Sequence, residues 1–281
     1  MQLNRQEVDD FINRALAEDV GRGDLTTNVT IPVGTSLKAS MVARQDIVVC
    51  GMEFAALTFR RVNQEIKVEL KVKDGDKVAK GTALATVEGD ARAVLAAERT
   101  ALNIVQHLSG IATEVRKYVE AVAGTNCTMI DTRKTIPTLR NFAKYASFVG
   151  GARNHRIRLD DGVLIKDNHI AVHGSITKAI AQARALTPAL TKIEVECDTL
   201  KQVAEAAKAG ADVIMFDNMS ADMMKKGVAI IAGRTKTEAS GGIRLDSIRE
   251  KAESGVDVIS VGRMTQSAPA VDIGLDVTIS K

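Results

Sequence analysis

The spacing of apolar positions changes once along this 281-residue chain, near residue 110. Before that point SLKASMVAR (36–44) and IKVELKVK (66–73) alternate apolar and polar residues, the period-two pattern of strands with one buried face. Residues 7–18 carry an acidic helical pattern instead, followed by the Gly-rich turn GRGD (21–24). KDGDKVAKGTALATVEG (73–89) reads as two turns around short strands. This first portion is α+β. A helical stretch ending near residue 124 joins the halves, with Leu95, Leu102, Val105, Leu108, Ile111 and Ala112 spaced for one buried face.

Beyond it, apolar strands and amphipathic helices take turns. The expected strands are CTMID (127–131), GVLIK (162–166), KIEVEC (192–197), DVIMFD (212–217), KTEAS (236–240) and DVISVG (257–262). Between them lie the helical stretches LRNFAKYASFVG, SITKAIAQARAL, LKQVAEAAKA, ADMMKKGVAII and LDSIREKAE. Three of these run into Gly210, Gly233 or Gly255, and glycine is the residue that most readily takes the left-handed conformation that ends a helix. Such a βα repeat implies an α/β fold with a parallel sheet covered by helices. Six units fit a partial β/α barrel or an open doubly wound sheet. Each strand ends in a residue with chemistry of its own, which favours the barrel, where active sites lie at strand C-termini.

Composition narrows the range of partners. With 45% hydrophobic and 26% charged residues, the chain can bury a sizeable core. Lys and Arg exceed Asp and Glu by 38 to 35, and the resulting +3 is too small to draw nucleic acid or a membrane surface to the whole molecule. Any cationic site must be local. Only 3% of residues are aromatic and none is Trp, so stacking platforms for single-stranded nucleic acid are scarce. Cys50, Cys127 and Cys197 lie in or beside apolar segments, as buried, reduced thiols of a cytosolic protein do. The N-terminus has no apolar leader-like run, and no stretch approaches bilayer length. A cytoplasmic protein is expected.

In chain order the strands end in Asp131, Thr132, Arg133 and Lys134; then Lys166; Glu196; Asp217; Glu238 with Ser240, Gly241 and Gly242; and Ser260, Val261, Gly262 and Arg263. His155 and Arg156 stand just upstream of the second strand. A single cation of this kind is ordinarily a surface ion pair. Several on one barrel mouth repel each other unless a polyanion sits among them. SGG and SVG-R each follow an apolar strand and precede a helix, an arrangement that exposes backbone N–H groups to a phosphate. Glu196 and Asp217 could bond sugar hydroxyls, hold Mg²⁺ or stabilise a developing positive charge. Glu194 shares the face of Glu196 but lies short of the strand end, and reads as a buried or opposite-end partner of a lysine. His107, His169 and His173 lack zinc-ligand spacing, and His169 in KDNH reads as satisfying loop backbone groups.

DTRKTIPTLRNFAKYASFVGGARNHRIRLDDGVLIKDNHI (131–170) resembles the signature region of the quinolinate phosphoribosyltransferase family, the carboxylating nicotinate-nucleotide pyrophosphorylases. EDVGRGDLTT (18–27), AERTALNIVQHLSGIAT (97–113), EVEC (194–197), IMFDN (214–218), EASGGI (238–243) and VDVISVGRMTQSAP (256–269) extend the resemblance nearly end to end. It implies an N-terminal α/β sandwich domain, residues 1–109 completed by 270–281, and a C-terminal open α/β barrel, 110–269, in a homodimer. It also implies the reaction: quinolinate and phosphoribosyl pyrophosphate give nicotinate mononucleotide, pyrophosphate and CO₂ with Mg²⁺ and no organic cofactor, in de novo NAD biosynthesis. By position Arg133, Lys134, His155, Arg156 and Lys166 match residues that bind the quinolinate carboxylates and phosphates, with Thr132 beside them. Glu196 and Asp217 match an acidic pair near the ribose, candidate Mg²⁺ ligands direct or indirect. Lys134 joins that pair as a candidate catalytic residue. Ser240, Gly241, Gly242, Ser260, Val261 and Gly262 match phosphate loops. Arg99 matches an arginine that reaches the partner subunit's active site.

Arg153 and Arg158 stand where small residues are common in the family, and Gln266 where His is frequent; these departures touch fine specificity rather than reaction class. Competing readings are a Schiff-base aldolase on Lys134 or Lys166, a related pyrophosphorylase acting on another base, and a carrier module around residues 73–89. The last lacks the exposed hairpin-tip lysine such modules need.

Overall fold

The computed structural model describes residues 1–278. The chain runs α1 (Arg5–Val20), α2 (Leu25–Thr30), β1 (Ser36–Ala43), β2 (Ile47–Val48), α3 (Met52–Val62), β3 (Lys67–Leu70), β4 (Lys77–Val78), β5 (Ala83–Asp90) and the long α4 (Ala91–Ala121). It continues through β6 (Thr128–Ile130), α5 (Arg140–Gly150), β7 (Val163–Ile165), α6 (Asp167–His173), α7 (Ile176–Leu186), β8 (Ile193–Cys197), α8 (Leu200–Ala209) and β9 (Val213–Asp217). The final elements are α9 (Ala221–Ile231), β10 (Lys236–Ser240), α10 (Ile248–Ala252), β11 (Val258–Ser260), α11 (Arg263–Gln266) and β12 (Ile273–Thr278). These form two compact units, one of Met1–Arg116, Asn141–Gly151 and Ser267–Lys281, the other of Lys117–Arg140 and Ala152–Gln266. The sequence break near residue 110 thus falls inside the continuous helix α4.

In the first unit an antiparallel sheet runs in the order β12-β1-β5-β3, beside a small β2-β4 pair. The alternation in β1 buries Ala39, Met41 and Ala43 on one face. Met41 and Ala43 join a core with Phe59, Leu84, Val87, Val94, Leu102, Val105 and Ile273. Along α4 Leu102, Val105, Leu108, Ile111 and Ala112 are buried; Val94, not the half-buried Leu95, takes the first place in that stripe. α1 buries Val8, Ile12 and Leu16, one residue per turn, and the Asn4 side chain accepts the Gln6 amide at its start. Helix α3, absent from the expected elements, buries Met52, Phe54, Ala55, Ala56, Thr58 and Phe59 and leaves Glu53, Arg60 and Arg61 exposed along one polar face.

The second unit holds six parallel strands in the order β6-β11-β10-β9-β8-β7. The last strand lies beside the first, and each of the others beside its chain neighbour. That is a ring cut once, between β6 and β7; a doubly wound sheet would instead reverse direction at a switch point. At the cut, Arg153 bridges to Ile130 beside β6. All six expected strands are present, and the fold is α/β with an open barrel. Gly210 ends α8 at φ 82°, while Gly233 and Gly255 follow shortly after α9 and α10 have ended, each with positive φ. Thr199 and Gln202 close a reciprocal cap on α8, the T-x-x-Q signature made physical. Two expectations change. Residues 167–173 are helix α6 rather than loop, and α10 is a short turn rather than the longer helix that LDSIREKAE suggested.

A matched device closes the N-terminal ends of the strands. Asp212 accepts the Ile193 amide at 2.8 Å and pairs with Lys192 and Arg184, and Asp257 accepts the Thr237 amide at 2.9 Å and pairs with Lys236. Burial pushes the Asp212 carboxyl up, but the Ile193 amide, Arg184 and Lys192 outweigh it and hold it below the ordinary 3.8. A depressed folded value means full stabilisation above about pH 4, lost as pH falls through that folded value. Asp212→Asn is expected to destabilise the protein by about 1–2 kcal/mol at pH 7, to lose most of that difference near about pH 3, and to leave substrate KM values unchanged. Denaturant melts at both pH values check it, and an equal penalty at the acid pH would remove the electrostatic explanation.

The three cysteines are buried and unpaired, and burial raises the Cys127 and Cys197 thiols to about 12. Among the described residues no helix is long and apolar enough to cross a membrane.

Candidate active site

The C-terminal ends of the barrel strands surround a cavity of about 740 Å³. Thr132, Arg133 and Lys134 follow β6, His155 and Arg156 precede β7, and Lys166 ends it. Glu196 and Asp217 come from the ends of β8 and β9; Ser240, Gly241, Gly242, Ser260, Val261 and Gly262 from those of β10 and β11. Parallel strands deliver these side chains to one place because every strand of a barrel points the same way. Arg99 is exposed on α4 and does not line this cavity.

The cations are unequally satisfied. Lys166 Nζ pairs with Glu196 Oε2 at 2.6 Å. Arg156 Nη1 donates to the Gly162 carbonyl at 2.8 Å, but its Nε is buried without a partner, as is that of Arg133. Burial, then the neighbouring Arg133 guanidinium, push Arg156 below its ordinary value. Lys134 is fixed by its main chain: its amide donates to Thr132 Oγ1 at 2.9 Å and its carbonyl accepts Thr265 Oγ1 at 2.7 Å. Its side chain lies along Gly262, and its ammonium has no hydrogen bond or ion pair among the described residues. At the other end of the strands Lys192 and Lys236 each have an aspartate.

Two strand-end loops offer small residues and amides. Ser260 Oγ donates to Ser240 Oγ at 3.0 Å, tying the loops together. The turn after β9 packs against them. Asn218 takes a left-handed φ of 53°, donates its amide to the Ser240 carbonyl at 3.0 Å, and donates from Nδ2 to Asp217 Oδ2 at 2.6 Å. Asn218, with Arg244, joins the wall unanticipated; an Asn directly after an acidic strand end, a residue that tolerates positive φ, was the available signal.

In the cavity wall His155 Nε2 lies 3.0 Å from Glu194 Oε2 and 3.6 Å from Glu238 Oε2. Glu194 is thus the partner of a histidine, not of a lysine. Burial, then the Glu194 charge, hold Glu238 well above the ordinary carboxyl range. His155 Nδ1 accepts the Arg156 amide at 2.6 Å, which leaves the ring hydrogen on Nε2, pointing at Glu194. Three possible ligand atoms, from His155, Glu194 and Glu238, converge here within 4.8 Å of one another. Asp131, fully buried, accepts from Asn154 Nδ2 and the His155 amide at 2.7 and 2.9 Å and so fixes the approach of this segment. His169 satisfies a backbone group, the Lys166 amide at 2.9 Å, in the first turn of α6.

Of the departures noted in sequence, Gln266 lines the cavity, whereas Arg153 and Arg158 are exposed outside it. Asp161 accepts the Ile157 and Arg158 amides at 2.5 and 3.1 Å, so residue 158 serves the turn through its main chain.

Residues 24–109 match the family model for the quinolinate phosphoribosyl transferase N-terminal domain, and residues 111–276 the model for its C-terminal domain. A probable nicotinate-nucleotide pyrophosphorylase (carboxylating) of Bacillus subtilis is 41% identical over 278 residues, covering 99% of this chain and 96% of that protein. The nicotinate-nucleotide pyrophosphorylase (carboxylating) of Mycobacterium leprae is 42% identical, covering 95% of this chain and 96% of its own. The crystal structure of NadC from Streptococcus pyogenes superposes with a TM-score of 0.95 at 40% identity, covering 99% of this chain and 100% of that one. With both domain models matched in order along one chain, this protein belongs to the quinolinate phosphoribosyl transferase family.

Proposed function

We propose that this chain transfers the phosphoribosyl group of phosphoribosyl pyrophosphate to quinolinate and releases CO₂, giving nicotinate mononucleotide and pyrophosphate for NAD biosynthesis. The observation that carries the reading is the unneutralised cation cluster: Arg133, Lys134 and Arg156 face one cavity beside two phosphate-type loops. A dicarboxylate and a pyrophosphate ester together supply the negative charge that such a site lacks.

Arg133 and Arg156 take the two quinolinate carboxylates, which places the ring nitrogen toward the sugar. Lys134, over Gly262, takes phosphate oxygens, and the serine–glycine loops donate amides to the 5-phosphate and pyrophosphate. As pyrophosphate leaves, positive charge builds at the anomeric carbon, and Glu196 and Asp217 stabilise it. The ring nitrogen then bonds that carbon. In the pyridinium so formed, the bond from C2 to its carboxylate breaks, the electron pair stays on C2 and is protonated, and CO₂ departs. Glu196 and Asp217 are hard oxygen donors at the cavity edge, fit to hold Mg²⁺ directly or through water; the ion would neutralise phosphate charge. Lys166 is engaged with Glu196, an arrangement for charge balance rather than for a Schiff-base amine. In a homodimer, the exposed Arg99 would complete the partner's site. Three reduced thiols fit work in the cytoplasm.

The deciding assay is release of CO₂ and pyrophosphate from quinolinate and phosphoribosyl pyrophosphate, with nicotinate as the control. Turnover of nicotinate but not of quinolinate would overturn the proposal.

A further inference from the structure

Arg140 is the first residue of α5, where a cation meets the positive end of the helix dipole, so the helix gains nothing from it. It is half-buried and does not line the cavity. Its guanidinium donates three ways: Nη2 to the Arg133 carbonyl at 3.4 Å, Nε to Thr135 Oγ1 at 3.3 Å, and Nη1 to the Ile157 carbonyl at 3.3 Å. Among the described residues it pairs with no carboxylate. One planar group therefore joins the segment that follows β6 to the segment that precedes β7.

Those are the two segments that carry Arg133 and Arg156. Neither is a regular element, and the two guanidinium groups they present repel each other, each with a buried Nε that no protein group satisfies. Asp131 ties the segments just ahead of these two arginines, through Asn154 Nδ2 and the His155 amide, and Arg140 adds a second tie at residue 133 and just past residue 156. This second tie acts on the main chain, at residue 133 itself and at the neighbour of residue 156, so it fixes where both side chains begin. The planar fork of an arginine reaches three such acceptors at fixed angles; an ammonium on a flexible stem does not.

We infer that Arg140 is a positioning residue that sets the separation of Arg133 and Arg156, and so makes the site select two adjacent ring carboxylates over one. A monocarboxylate needs only one of the two guanidinium groups and is indifferent to their spacing; a vicinal dicarboxylate needs both in register. The inference rests on the proposed dicarboxylate substrate and deepens it.

The test uses the full chain with Arg140→Lys and Arg140→Gln, the first keeping the charge and losing the fork. KM is measured for quinolinate and for phosphoribosyl pyrophosphate, and dissociation constants by calorimetry for benzene-1,2-dicarboxylate and for benzoate. KM for quinolinate and the dicarboxylate constant are expected to rise about tenfold, with the other two values within about threefold of the parent. The dicarboxylate-to-benzoate preference should fall accordingly. A purely structural role would lower the melting temperature and weaken all four together, and that result, or an unchanged preference, would overturn the inference. Should the Gln variant not fold, the Lys variant and Thr135→Val, which removes only the Nε acceptor, carry the comparison. Calorimetry with the unreactive acids separates this question from turnover: a parent protein that prefers the dicarboxylate yet does not convert quinolinate refutes the proposed reaction and leaves Arg140 testable.

Discussion

Replacing Lys134 by alanine is expected to lower kcat/KM by about 10²–10³-fold, the range found when a preorganised charge is removed from a developing anion. The residue is held by its main chain through Thr132 and Thr265, so alanine removes the ammonium without releasing the segment. Its ammonium has nothing to stabilise in the protein, and the melting temperature should hardly move. Arg99→Ala should also inactivate, for a different reason, if it serves the partner's site. Mixing the two variants under subunit exchange should then restore about one quarter of the parent activity, since half the dimers are hybrids with one intact site of two. Exchange without recovery would place Arg99 outside the partner's site, and a Lys134→Ala enzyme of near-normal kcat/KM would remove the lysine from the chemistry.

Gly241→Ala is expected to cost about 100-fold in kcat/KM for phosphoribosyl pyrophosphate, together with about 1–3 kcal/mol of stability. Gly241 has φ 81°, where an L side chain is strained. Space is the larger problem. A Cβ there would lie 2.8 Å from the Asn218 amide nitrogen and closer still to the Asn218 side chain, and backbone cannot swing away as a lysine tip can. The turn that must yield carries Asp217, so one methyl group would disturb the proposed phosphate loop and the proposed ribose carboxylate together. KM, kcat and a denaturant melt on the same preparation check this; an unchanged KM for phosphoribosyl pyrophosphate would show that the loop does not hold phosphate.

The two substitutions probe opposite properties of the site. Lys134 is a charge that the folded protein does not need, and Gly241 an absence of side chain that the fold cannot do without. Asp212 and Asp257, at the other end of the strands, show how a barrel lysine is treated when its role is structural, for each is given an acid. A lysine paired with a carboxylate presents a weaker field to an anion than an unpaired one does. The contrast between the two ends of the strands is what supports the proposed anion site.

Much of this was legible in the residues. The alternation in KIEVEC and DVIMFD is a short-range property, written by which side chains must leave water, and it survives into β8 and β9 almost residue for residue. The cations at 133, 134, 156 and 166 stood out because each flanks an apolar run too short to need them. Two helices were harder: α3 is an eleven-residue amphipathic segment set between short strands, and the short α6 hides in a polar stretch whose first turn is closed by a histidine.

Local order along the chain was enough for the set of elements and for the residues each would carry at its end, since burial of a strand or helix face depends on neighbours a few positions away. Only the tertiary structure decided that β6 lies beside β11, which turns a series of strand ends into one cavity. It also decided that His155 meets Glu194 and Glu238, and that Arg140 binds two segments across a gap in the ring. These are contacts between residues far apart in the chain, chosen by which buried polar group would otherwise be left without a partner, and no local pattern of hydrophobicity carries that choice.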